Sequence, residues 1–203
     1  MSNRTICLIN DSFPPVTDGG ANAVVNYGRA ITESGSRAVV ATPAYPGADD
    51  SGFSFPVVRY PSIDMTKLVG YHAGFPFSEK TMQTLMEYPF DLIHCHCPIT
   101  SAVLARELRA RIHVPAVFTY HTKFDIDIAN AIHAKLLQEG AKKLLVDNIS
   151  AFDEVWTVSH GAGENLRSLG YQGDWRVMPN GVDFARGRVP ETDVHAVCRD
   201  FDL

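Results

Sequence analysis

Short unbroken apolar runs alternate here with segments of helical period, and that alternation constrains the fold more than any other feature. Thr5–Asn10, Arg37–Thr42, Pro56–Tyr60, Asp91–His94, Pro115–Tyr120, Glu154–Val158 and Trp175–Met178 read as strands. Between them, Ala21–Ser34 places Val24, Val25, Tyr27, Ala30 and Ile31 at helical spacing and stops at Gly35. Further helices are predicted over Glu79–Glu87 (capped by Ser78), Ile99–Arg111, Ile126–Ile149, His160–Leu169 and Glu191–Phe201. Gly140 interrupts the Ile126–Ile149 pattern and leaves one helix or two open. Pro61–Phe77, rich in Gly, Pro and aromatics, reads as irregular. Strands covered on both faces need continuous apolar runs, and parallel strands need helical crossovers. The expected fold class is therefore α/β: a Rossmann-like, doubly wound, mostly parallel sheet with helices on both faces. Ligands of such sheets sit beyond the carboxyl ends of the strands.

Composition narrows the function classes. With 45% hydrophobic and 20% charged residues the 203-residue chain is globular. Lys plus Arg number 18 against 23 Asp plus Glu, a net charge of −5, which argues against nucleic acid as a partner. No apolar run approaches the ~18 residues of a membrane span. The apolar part of Thr5–Asn10 is too short for a secretory leader. Cys7, Cys95, Cys97 and Cys198 read as free thiols, and a cytoplasmic location is expected.

Several polar groups fall just after strands. Asp18-Gly19-Gly20-Ala21-Asn22 opens a helix after a ten-residue loop, longer than the ~2–6 residues usual there. Glycine admits close backbone approach and a helix N-terminus attracts anions, although a plain turn and N-cap would use the same residues. His160-Gly161-Ala162-Gly163 superficially resembles a nucleotide loop, but Leu166 stands where the third glycine belongs and Ser159 reads as a helix cap. His94-Cys95-His96-Cys97 hints at metal, yet neighbours in a strand point to opposite faces, so no metal is expected and His96 is retained as a ligand contact. Tyr120-His121-Thr122-Lys123 supplies a strand-end histidine, a hydroxyl and a cation, making His121 the best candidate for proton or hydrogen-bond chemistry. Pro179-Asn180-Gly181-Val182-Asp183 reads as a turn after the last strand. Neither a nucleophile elbow nor a Walker loop occurs.

In this order, Asp11–Pro15, Asp18–Ala21, Asp91–His96, Thr119–Thr122, Val158-Ser159 and Pro179–Asp183 resemble the N-terminal half of a retaining glycosyltransferase of GT-B fold, family 4. The resemblance implies two Rossmann-like domains facing a cleft, this one on the acceptor side. It implies that residues 1–183 form that domain and 184–203 a linker to a C-terminal donor-binding domain not encoded here, so that the chain alone is expected to be inactive. It places Gly19 and Gly20 near the donor diphosphate, His121 near the reaction centre, and Asn180 at the domain crossing. Asn22, His96, Thr122 and Lys123 become acceptor contacts. The implied partners are a nucleotide-sugar donor and a sugar, polyol or lipid acceptor, with no cofactor beyond the donor. Some relatives touch the inner face of a membrane peripherally, but Ala141-Lys142-Lys143 and Arg106–Arg111 read as solvated surface. Two other classes compete: a stand-alone module binding a small anion or sugar phosphate, and a sugar-nucleotide epimerase or dehydrogenase. The second lacks the dinucleotide fingerprint.

Overall fold

The computed structural model describes residues 3–66, 72–121, 124, 128, 134–181 and 187–201. Strands β1 (Thr5–Ile9), β2 (Arg37–Pro43) and β3 (Val57–Tyr60) are followed by a small hairpin, β4 (Ser62–Asp64) and β5 (His72–Gly74). Then come β6 (Leu92–Cys95), β7 (Ala116–Tyr120), β8 (Glu154–Thr157) and β9 (Arg176–Val177). The helices are α1 (Gly19–Glu33), α2 (Glu79–Met86), α3 (Thr100–Ile112), α4 (Lys135–Ile149), α5 (His160–Ser168) and α6 (Glu191–Asp200). Seven strands form one sheet in the order β3-β2-β1-β6-β7-β8-β9, every pair parallel. The doubly wound α/β expectation therefore holds.

Period-two alternation sorts the side chains. Leu8, Val40 and Ala38 face α1, where Val24 and Val25 complete a small core with Phe13 and Phe55. Cys7, Ile9, Val39, Ile93 and Phe118 face the other way, onto Leu85 of α2 and Leu104 and Leu108 of α3. Burying each large aliphatic side chain stabilises the fold by roughly 1.5–3 kcal/mol. α3 ends at His113, in the left-handed conformation at φ 56, with Arg109 and Arg111 favourably placed in its last turn. α4 runs unbroken through Gly140, so the pattern does not break there; the helix begins at Lys135, after an extended Ala134, and Ile128 upstream of it is also helical. Most of residues 126–133 lies outside the described residues.

The segment read as irregular, Pro61–Phe77, instead contains the antiparallel β4–β5 hairpin. Three-residue strands are too short to show period-two patterning, which is why the sequence hides them. The hairpin is held at Gly74, where a methyl group would overlap the fully buried Tyr60 ring and crowd Pro43 and Thr100. Gly74→Ala is expected to lower stability by about 2–3 kcal/mol through overpacking, read by urea denaturation. A loss under 0.5 kcal/mol would show that Tyr60 has room to yield.

The chain winds outward from β1 to β3, returns to β6 on β1's other side, and then winds the opposite way. The connections thus diverge between the carboxyl ends of β1 and β6, where a doubly wound sheet opens a crevice.

A candidate active site at the topological switch point

The loop after β1 is built by fixed polar contacts. Asp11 is buried, and its Oδ1 accepts from the Ser101 N–H at 2.8 Å and the Ser101 hydroxyl at 2.6 Å. The Thr100 hydroxyl also donates to Oδ1, its N–H donates to Oδ2 at 3.1 Å, and the Tyr60 hydroxyl lies 3.3 Å from Oδ1. These donors stand at the N-terminus of α3, whose own N-cap, Ile99, has no side chain able to cap it. Asp11 thus caps a helix from a loop 89 residues away and ties β1 to it. Arg59 forks onto Asp50 and donates to the Pro14 carbonyl at 2.6 Å, pinning the middle of the loop. Asn10 holds the Ser12 carbonyl at 2.8 Å.

At the loop's end Asp18 caps α1, accepting from the Ala21 N–H at 2.7 Å. Gly20 fits beneath this cap: a Cβ there would meet Asp18 Oδ1 at 3.2 Å and Asn10 Nδ2 at 3.5 Å. Gly19 and Asn22 are exposed, and no atom would obstruct a Cβ on Gly19. The N-terminus of α1 is therefore open to a ligand but carries its own carboxylate.

Behind the loop lies a buried polar rung. The sheet register continues one residue beyond Ile9, Ala41, Cys95 and Phe118 into Asn10, Thr42, His96 and Thr119, all at most 3% exposed. All four face α1, as His94 does two residues before His96. Their neighbour Cys95 points into the opposite core, and its Sγ donates to the Cys97 carbonyl. Among the described residues no group of three or more His, Cys, Asp or Glu could hold a metal ion.

Three histidines make the centre of this rung. His96 Nδ1 and His121 Nε2 share a hydrogen bond of 2.9 Å, with their rings stacked at 5.2 Å. His94 Nε2 bonds the Thr119 hydroxyl at 2.7 Å, and its ring lies 4.0 Å from that of His96. Tyr27 of α1 covers both rings, and Trp156 closes on His94 edge-on at 5.0 Å. Burial holds His94 down to about 3 and His121 to about 4, and drives His96 well below the ordinary imidazole range. The Asp18 carboxylate pulls His121 the other way, so the α1 N-cap lies within electrostatic reach of the β7 histidine. All three imidazoles are neutral near pH 7.

The structure thus gathers Gly20, Asp18 and His121 at one rim. It places His96 behind the rim, at 3% exposure and with Nδ1 engaged by His121. Thr122 and Lys123 lie outside the described residues, and Asn180 is exposed beyond β9. Ser159 caps α5 through the Ala162 N–H at 3.1 Å, as a structural turn requires. Lys142 and Lys143 pair with Glu139 and Asp147 on the same helix. A shallow groove of about 770 Å³ beside Arg106, Arg109, His113 and Asp153 opens at the amino-terminal edge, on the far side from this chemistry. Sequence reasoning gave no role to Asp11 or Tyr60. The available signal was an aspartate directly after the first strand of a doubly wound sheet.

No helix among the described residues is long and apolar enough to cross a membrane. Solved structures share the fold. Sucrose-phosphate synthase from Thermosynechococcus elongatus superposes with TM-score 0.64 at 20% identity, over 89% of this chain and 49% of that one. The catalytic domain of starch synthase IV from Arabidopsis thaliana, bound to ADP and acarbose, superposes with TM-score 0.52 at 13% identity, over 90% and 52%. In sequence, the chain is 20% identical to the alpha-monoglucosyldiacylglycerol synthase of Streptococcus pneumoniae over 92% of its own length and 42% of the relative's. It is 26% identical to a GDP-mannose-dependent alpha-mannosyltransferase of Corynebacterium glutamicum, over 58% and 29%. The chain therefore spans less than half the length of these curated relatives. The family model for Glycosyltransferase Family 4 matches residues 17–186, which includes the α1 N-terminus, the histidine rung and the strands that carry them, and the chain belongs to that family as a Rossmann-like N-terminal domain of the GT-B fold.

Proposed function

We propose that this domain is the acceptor side of a transferase that moves a hexosyl group from a nucleotide sugar to an acceptor hydroxyl with retention of configuration. The observation that carries the proposal is the electrostatic reach of the α1 N-cap Asp18 to His121, from separate loops at the carboxyl ends of β1 and β7, beside the switch point of the sheet. A relative named as a GDP-mannose-dependent alpha-mannosyltransferase and another named as an alpha-monoglucosyldiacylglycerol synthase support the substrate class.

In this reading the backbone N–H groups at Gly19 and Gly20 face the donor diphosphate, while Asn22, Thr122 and Lys123 face the acceptor and Asn180 borders the second domain. The bond from the anomeric carbon to the diphosphate oxygen breaks and the acceptor oxygen bonds to the same face of that carbon. The acceptor proton passes to the departing phosphate oxygen. A neutral His121 held at about 4 is a poor base near pH 7, so it serves as a hydrogen-bonding group at the reaction centre.

The test is transfer by a protein joining this domain to a donor-binding domain. His121→Ala is expected to lower the turnover number on the order of 100-fold with the fold intact by circular dichroism, the loss typical of one preorganised hydrogen bond. Turnover like that of the unmodified protein would remove His121 from the reaction centre. Tight binding of nucleotide sugars by this domain alone would instead favour an anion-binding module.

A further inference from the structure

We propose that His96 is a positioning residue that sets the tautomer of His121: His96 Nδ1–H donates to His121 Nε2, so that His121 offers Nδ1–H as its remaining group for an oxygen of the substrate. The identity of that substrate rests on the transferase reading above, but the tautomer does not.

The hydrogen bond between the two rings fixes the alternatives. Two neutral imidazoles facing each other across 2.9 Å share one proton between Nδ1 of His96 and Nε2 of His121. Whichever ring donates, the other nitrogen of each ring takes the complementary state. The two outer nitrogens, His96 Nε2 and His121 Nδ1, are both buried with no hydrogen-bond partner among the described residues. One of them must carry a proton. Their surroundings differ. His96 is enclosed by the Tyr27 and His94 rings, and among the described residues no carboxylate acts on it. His121 directly follows β7, within the field of the Asp18 carboxylate. Both nitrogens are buried, but a proton on His121 Nδ1 sits in the negative potential of Asp18, whereas one on His96 Nε2 would be a donor among rings without that field. The groups facing the pair are Asp18 and Tyr27 from α1 and His94 from β6. The chemical class this arrangement accepts is an oxygen acceptor, a sugar hydroxyl or a phosphate oxygen, and not a group that must give up a proton to the ring.

The experiment is long-range nitrogen–proton correlation NMR of the histidine rings in the 203-residue chain, near pH 7 and without sugar. The expected result is a protonated Nδ1 and a bare Nε2 on His121, with a protonated Nδ1 on His96. In His96→Asn, whose amide nitrogen stands where Nδ1 stood, His121 is expected to keep this tautomer. In His96→Phe it is expected to lose it, giving a mixture or the Nε2–H form. A bare Nδ1 on His121 in the unmodified chain would overturn the proposal, and so would an unchanged tautomer in a folded His96→Phe variant. Failure of sugar transfer by the protein that joins this domain to a donor-binding domain, with the expected tautomer present, would count against the transferase reading and leave the proton assignment standing.

Discussion

Replacing Asp11 with alanine is expected to lower the unfolding free energy by about 4 kcal/mol. The carboxylate accepts from four groups of Thr100 and Ser101 and lies near the Tyr60 hydroxyl. Ser101 and Tyr60 are fully buried, so donors freed there find no water at once. Each stranded buried donor costs about 1–3 kcal/mol. α3 would also lose the negative charge that faces its N-terminus. Asp11→Asn keeps an acceptor oxygen at the same place and is expected to lose roughly half as much, which separates the hydrogen bonds from the charge. Urea denaturation measures both. Should Asp11→Ala lose less than 1 kcal/mol, the contact would be incidental to the fold. The consequence reaches the site, because this carboxylate anchors the start of the loop that carries Gly19 and Gly20.

Acid is expected to destabilise the protein well before its carboxylates titrate. His94 is held at about 3 and His121 at about 4, with His96 well below the ordinary value, all because burial penalises the cation. In the unfolded chain each imidazole takes up a proton near pH 6.5. Below that pH the unfolded state binds more protons than the folded one, so stability falls as pH falls. The stabilisation is complete above about pH 6.5. It declines until the folded-state histidines themselves protonate, near pH 4 for His121 and pH 3 for His94. Three such groups cost about 4 kcal/mol between pH 7.5 and 5.5, at up to ~1.4 kcal/mol per group and pH unit. Thermal or urea unfolding across this range provides the measurement. His94→Gln, which can keep a side-chain hydrogen bond to Thr119 but does not titrate, is expected to remove about a third of the slope. A flat profile between pH 7.5 and 5.5 would mean that water reaches these rings.

How much of this could be read in advance follows from the range of each interaction. Leu8, Val40, Ile93 and Phe118 announce a parallel sheet because burial on both faces demands apolar residues at every strand position, a local requirement written in consecutive letters. The caps at Asp18, Ser78 and Ser159 were legible for the same reason, since each bonds an N–H three residues on. The β4–β5 hairpin escaped notice because its strands are three residues long and Gly74 answers to the Tyr60 ring, not to its neighbours in sequence.

The candidate site divides along the same line. That His121 and the Gly19-Gly20 loop follow the carboxyl ends of strands, where doubly wound sheets bind ligands, was implied by the alternation of apolar runs with helical segments. The partnership of His96 with His121, across 25 residues, has no local signature: a histidine facing an acceptor and a histidine buried behind another are the same letter. Likewise Asp11 reads as a loop residue until α3 arrives beside it. By itself the sequence determined the layered sheet, the rim where chemistry can occur and the family, because those depend on patterns repeated along the chain. Only the tertiary structure decided which polar groups face one another inside that rim, because desolvation and hydrogen bonding act through contacts that exist only once the strands have been brought together.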